Sequence, residues 1–197
     1  EGTTFSWTRA AVAGMSNDAA NGTGNPNETL FDTTTGPVTV TYLYTLSAYG
    51  CTNPIPDTVK VVVNRPPSLS SSTTPADVCS GALFSYIPTS TTVGTTFSWT
   101  RAAVTGISNA AANGTDDPLE SLINTSNAPV SVTYAYTLNA NGCINPQIFN
   151  VVVVVKPSPT LSSSLTPPAI CSGNVFNYTP TSAATGASFA WIRASVN

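Results

Sequence analysis

Histidine is missing altogether and charge is scarce: six Lys and Arg with nine Asp and Glu amount to 8% of the residues, against about a quarter in ordinary globular chains. Without histidine the commonest general base is gone, and with it the Ser-His-Asp and Cys-His arrangements and histidine metal sites. Six scattered cations and a net charge of −3 leave no basic patch to hold phosphates, which argues against nucleic acid as a partner. Long apolar runs are missing too. The longest, Val151 to Val155, is far too short to cross a bilayer, so membrane insertion is not expected. No segment keeps helical periodicity beyond one turn. No cofactor motif is visible either, and the chain is not expected to be an enzyme. The rarity of Lys and Arg also leaves few sites for trypsin-like proteases, which suits an exposed, extracellular life.

What the chain has instead is a repeat. The segment from Gly2 to Val12, with Phe5, Trp7 and Arg9, returns at Gly94 to Val104 and again at Gly186 to Val196 (94 − 2 = 92; 186 − 94 = 92). Cys51 to Cys143 and Cys79 to Cys171 give the same interval (143 − 51 = 92; 171 − 79 = 92). A unit of this length can hold its own core, so the pattern reads as an array of domains and not as a thin solenoid. Residues 1–65 are the C-terminal part of one unit, 66–157 a complete unit, and 158–197 the N-terminal part of the next. The opening residues lie inside a repeat and show no signal-peptide pattern, so the parent chain is expected to extend beyond both ends.

Within the complete unit, Pro66 to Pro75 reads as a linker turning into an edge strand, since proline does not serve central strands. Strands are expected at Leu83 to Pro88, with Phe84 and Tyr86 on one face, and at Thr95 to Arg101, with Phe97 and Trp99 on one face. Ala102 to Pro118, holding Gly106 and Asn113-Gly114, reads as loop, and Leu119 to Asn124 as a short strand. Val130 to Leu138 alternates most cleanly, placing Val130, Val132, Tyr134, Tyr136 and Leu138 together. Asn141-Gly142 is the dipeptide of a tight hairpin turn, and Phe149 to Val155 is the returning strand. Six or seven short strands in about ninety residues predict an all-β chain of tandem immunoglobulin-like sandwiches.

Val78-Cys79-Ser80-Gly81, Phe84-Ser85-Tyr86, Phe97-Ser98-Trp99, the run from Val132 to Leu138 and Asn141-Gly142-Cys143 together resemble the PKD-like and immunoglobulin-like repeats of large surface proteins in the Bacteroidota. The resemblance covers the whole chain. It implies display outside the cell, on the cell surface, after export by the type IX pathway. It also implies a stalk role between working ends that lie elsewhere.

Several residues are candidates for more than scaffolding. Phe84, Tyr86, Phe97, Trp99, Tyr134 and Tyr136 are expected in one core, with Trp7 and Trp191 as counterparts of Trp99. The alternative for the tryptophans is stacking on sugars. Arg9, Arg101 and Arg193 recur, as do Glu28 and Glu120, which suggests ion pairs Arg9–Glu28 and Arg101–Glu120 worth about 0–1 kcal/mol if exposed; the alternative is two independent solvated charges in each unit. Asp116, Asp117 and Glu120 are residue types that suggest calcium, but Gly24 and Asn25 stand at the first two positions in the preceding unit, so solvated loop acids are the better reading.

Cys51, Cys79, Cys143 and Cys171 come two per unit, and such regular pairing in an exported array argues for disulfides. Zinc is disfavoured, with no close Cys pair and no histidine. Cys79 lies at the start of the second strand and Cys143 past the terminal hairpin, so a strand of ~10 residues sets them ~30 Å apart. A disulfide needs Cα atoms within ~7 Å. A staple from each Cys79-type residue to the Cys143-type residue of the following unit is therefore favoured over a bond inside one unit, with free thiols third. Asn-x-Ser/Thr matches at Asn21, Asn27, Asn113, Asn124 and Asn177 are expected by chance in so Asn- and Thr-rich a chain. Thr33 and Thr58 sit in Asp-Thr contexts that resemble the O-glycosylation site of the Bacteroidota.

Two functional readings follow. The first is a structural stalk or filament segment of a secreted adhesin, setting length and spacing. Its partners would be neighbouring units or copies of the same chain, and glycans or other surfaces would be met through parts outside this segment. The second is a carbohydrate-binding accessory array of a secreted enzyme, which needs exposed coplanar aromatics on each unit. Because neither end piece can close a sandwich alone, the chain is expected either to be a window on a longer array or to be completed end to end by its neighbours.

Overall fold

The computed structural model describes residues 2–195. The chain is all-β, with thirteen strands among those residues. In chain order they are β1 (Thr4–Arg9), β2 (Ala20–Thr23), β3 (Val38–Ala48), β4 (Cys51–Thr52), β5 (Asp57–Val63), β6 (Val78–Cys79), β7 (Leu83–Phe84), β8 (Thr95–Arg101), β9 (Ala112–Thr115), β10 (Glu120–Ser121), β11 (Val130–Ala140), β12 (Cys143–Ile144) and β13 (Phe149–Lys156). The sequence interval is visible in these bounds: β3 begins at Val38 and β11 at Val130 (130 − 38 = 92), β2 at Ala20 and β9 at Ala112 (112 − 20 = 92).

By contacts the chain divides into two compact units. One runs to Ser71 and includes Pro88–Ser98 and Thr137–Ile148; the other takes Ser72–Ile87, Trp99–Tyr136 and the chain from Phe149 onward. In the first unit, β3 is central, with β1 and then β2 on one side and β5 and β4 along the other. Thr, Val and Tyr fill β3 because branched and aromatic side chains suit a pleated surface. Trp7, Val40 and Tyr42 form its core, flanked by Val12, Met15, Ala20, Leu30, Tyr44 and Val63. The same unit ties the linker after β5 to the hairpin after β11. Asn145 Nδ2 donates to Pro67 O at 2.7 Å, Asn64 Nδ2 to Asn141 O at 3.1 Å, and Pro67 is fully buried.

The second repeat holds a sheet ordered β6-β13-β11-β8-β9, with β12 on β11, and a small sheet of β7 and β10. The small sheet covers the large one through Phe84, which stacks on Tyr134 with ring centroids 5.2 Å apart. This is an immunoglobulin-like β-sandwich. Along β11, Val132, Tyr134, Tyr136, Leu138 and Ala140 are buried, while Ser131, Thr133, Thr137 and Asn139 face solvent. β6 runs parallel to β13, with Val78 opposite Val155, so the start of the repeat closes against its end. Asn141 and Gly142 both adopt positive φ, 51° and 81°, the geometry of the two-residue turn that fits strand twist.

Two expectations about elements need correction. Ala102 to Pro118 is not loop throughout, because β9 lies in it and borders β8. The Pro-rich stretch after Pro66 forms no strand but an isolated bridge, Leu69 to Ser90. Its prolines lack the N–H that a ladder requires.

Candidate functional site

β8 alternates Phe97, Trp99 and Arg101 toward the interior, so the strand that carries core aromatics also carries a guanidinium inside. Arg101 is 2% exposed. Its Nε donates to Glu120 Oε2 and its Nη2 to Glu120 Oε1, both at 2.8 Å; Nη2 also reaches Ala110 O at 2.7 Å. Tyr134 OH donates to Glu120 Oε2 at 2.7 Å. The cluster recurs in the first repeat. Arg9 meets Glu28 at 2.9 and 2.8 Å and Asp18 O at 2.7 Å, and Tyr42 OH donates to Glu28 Oε2 at 2.7 Å. The pairs are thus forked and their arginines buried, unlike the exposed pairs for which a small value applies.

The protonation states follow from this geometry. The Arg101 hydrogen bond holds the Glu120 carboxyl below its ordinary range, against the opposing effect of burial. Hydrogen bonding to Glu120 raises Arg101 further. Burial, then the bond to Glu120, pushes the Tyr134 hydroxyl up. Near neutral pH the cluster therefore holds fixed charges and a neutral phenol, with no group poised to exchange a proton. Chemically it is a pin that clamps β8, β10 and β11.

The aromatics divide by repeat. Phe84, Tyr86, Phe97, Trp99, Tyr134 and Tyr136 are buried, and so is Trp7. Trp99 meets Tyr134 edge-on at 5.4 Å, and Trp7 meets Tyr42 in the same way at 5.5 Å. Neither indole N–H finds a protein acceptor. Trp191 is 86% exposed and lies outside any strand.

No disulfide joins the four cysteines to one another: Cys51, Cys79, Cys143 and Cys171 are all free thiols, and Cys79 and Cys143 do not bond each other, as expected. Cys79 pairs with Lys156 at the end of β13, whereas Cys143 pairs with Ala140 past the hairpin. The staple spacing (143 + 92 − 79 = 156) places no two of the four cysteines together, since 79 + 156 = 235. Cys143 Sγ instead lies 3.6 Å from Asn64 O.

Asp117 and Glu120 are spent on the fold. Asp117 accepts from Ser85 Oγ at 2.6 Å and from Tyr86 N at 2.8 Å, latching the end of β7. Burial opposes ionisation of Asp117, yet those bonds hold its carboxyl below the ordinary range. Among the described residues no group of three or more His, Cys, Asp or Glu gathers as a metal site. Thr33 and Thr58 are exposed, and Thr33 Oγ1 donates to Gly14 O at 2.9 Å. Arg193 forms no strand and is exposed.

Three structural roles escaped sequence reasoning. Tyr134 supplies the hydroxyl of the pin. Gly114 makes room for Trp99: a Cβ there would stand 2.7 Å from Cζ2 of the ring. Asn124 is buried and donates from Nδ2 to Ala128 O and Val155 O, each at 2.8 Å. The first two carried a legible signal, because Tyr42 and Gly22 repeat them at the same interval. Asn124 had none, since Asp32 takes its place.

A PKD-like domain is found at residues 76–159. It contains β6 through β13, hence one whole pin. PKD-like domains are typically extracellular. No curated protein matches the chain. Among the described residues no helix is long and apolar enough to cross a membrane.

Proposed function

We propose that this chain is a structural segment of a secreted cell-surface adhesin, a stalk in which each repeat adds a fixed length and no reaction is catalysed. The observation that carries the reading is the same Arg–Glu–Tyr pin, built twice at one interval. Each copy spends its charges on holding strands together and leaves none for a ligand. The linker bonds support limited bending, since Asn145 and Asn64 hold the segment around the buried Pro67 to the following hairpin. Contacts with glycans or other surfaces then belong to parts outside this segment. The accessory sugar-binding reading needs exposed rings, and Trp99, Tyr134 and Tyr136 are inside.

Small-angle scattering on polypeptides of two, three and four repeats tests the proposal. The maximum dimension should grow by ~35–45 Å per repeat, from strands of ~10 residues at ~3.3 Å plus a linker. Growth that follows chain collapse instead, or specific retention of a polysaccharide by the repeats alone, would sink it.

A further inference from the structure

The same loop is built in both repeats, with one atom exchanged at its centre. In the second repeat Ser126 N and Ser126 Oγ donate to Asn124 Oδ1, both at 2.8 Å, and Ser126 Oγ also lies 2.8 Å from Ala128 O. In the first, Thr34 N and Thr34 Oγ1 donate to Asp32 Oδ1 at 2.7 and 2.8 Å, and Thr34 Oγ1 lies 2.6 Å from Gly36 O. The strands around the loop keep the same register. Val38 stands opposite Val63 as Val130 stands opposite Val155, and Met15 bridges to Asp32 as Ile107 does to Asn124. Asp32 Oδ2 therefore takes the place of Asn124 Nδ2. That nitrogen donates to Ala128 O and Val155 O, each at 2.8 Å. Their counterparts are Gly36 O and Val63 O (128 − 92 = 36; 155 − 92 = 63). Asp32 Oδ2 is buried and has no hydrogen-bond partner. Three oxygens, one of them a carboxylate's, thus face one another with no hydrogen between them. Every partner of the Asn124 side chain lies between Ser126 and Val155, and each has its counterpart between Thr34 and Val63.

We propose that Asp32 Oδ2, Gly36 O and Val63 O hold a calcium ion, which ties the loop to the end of β5 as the Asn124 amide ties its loop to the end of β13. A buried carboxylate oxygen without a partner is costly, and a cation removes that cost. Oxygens bound to one calcium at ~2.3–2.6 Å lie roughly 3 Å from each other, close to the separation that the Asn124 hydrogen bonds set. One carboxylate with two carbonyls is the all-oxygen set that a hard cation takes, and its irregular shape suits calcium better than magnesium, which demands a near-ideal octahedron. Asp32, Gly36 and Val63 are only partly buried, so water can supply the rest of a shell of about 6–8 oxygens. A single carboxylate gives weak binding, with Kd on the order of 10⁻⁴–10⁻³ M, the range of extracellular modules. The site concerns what stiffens one loop of the first repeat, so it stands apart from the stalk reading.

Calorimetric titration with calcium chloride tests it on the whole chain stripped of divalent ions, alongside thermal unfolding in chelator and in calcium. The wild type should bind one ion per chain, and its midpoint should rise as calcium passes through the millimolar range. Asp32→Asn should abolish both the binding heat and the calcium response. Asn124→Asp builds the same three oxygens into the second repeat and should raise the count to two ions per chain. Should Asn124→Asp fail to fold, Asp32→Asn still decides the matter. Four outcomes overturn the proposal: a wild type indifferent to calcium, as a proton shared between Asp32 and a carbonyl would give; a response that Asp32→Asn retains; a response of equal size to sodium chloride at the same ionic strength; or a folded Asn124→Asp that binds no second ion.

Discussion

At the scale of the residue, the buried pin sets the largest single effect. Arg101 has no route to water, so removing its carboxylate leaves a charge with no counterion. Glu120→Ala should cost about 3–5 kcal/mol, as loss of one partner from a buried pair does, read as a drop in the urea midpoint. The same pair gives a pH dependence. Glu120 protonates at lower pH in the fold than in the unfolded chain, where carboxyls titrate near 4.3. Its contribution is therefore complete above that range and is lost as pH falls through the depressed folded value. Acid unfolding of wild type should steepen in that window, and in Glu120→Ala that component should vanish.

A second residue-scale prediction follows from a mismatch between the repeats. Asn124 Nδ2 donates to two carbonyls, whereas at the same place Asp32 has an oxygen, Oδ2, buried without a partner. Asp32→Asn replaces that acceptor with a donor and should stabilise the first repeat by about 1 kcal/mol. A rise in denaturation midpoint confirms it, and no change or a fall would mean the carbonyls are not in reach.

At the scale of the element, β11 was legible because its apolar residues alternate at period two without a break. β9 was not, because Ala-Asn-Gly-Thr has the composition of a turn. Gly114 is there for space: it has no positive φ, and the Trp99 ring fills the volume a side chain would take. Gly114→Ala should therefore push β9 from β8 and cost about 1–3 kcal/mol, as overpacking does. A red shift of the Trp99 emission should accompany the loss, and an unchanged spectrum with unchanged stability would refute the close packing. The small β7–β10 sheet illustrates the opposite limit. Its two-residue strands carry little periodic signal, and Phe84 beneath Tyr134 holds them more than propensity does.

At the scale of the whole molecule, like sequences have unlike protection. β5 is Asp-Thr-Val-Lys-Val-Val-Val and exposed nearly throughout; β13 is Val-rich in the same register and buried at alternate positions. Amide exchange tracks the local opening energy, so β13 amides opposite β11 should exchange far more slowly than β5 amides opposite β3. Equal protection in dilute solution would show that β5 is already covered.

The sequence alone was enough for what repeats and what alternates. The 92-residue interval, the period-two faces of β8 and β11, the Asn-Gly turn and the recurrence of the Arg and Glu residues are all local or periodic, and such features are written along the chain. Burial is not local, so only the tertiary structure could decide it. It placed Arg101 inside with Tyr134 on its carboxylate and turned β9 into a strand to seat Trp99. Each outcome depends on which distant strand lies opposite, a relation between residues that no single segment contains.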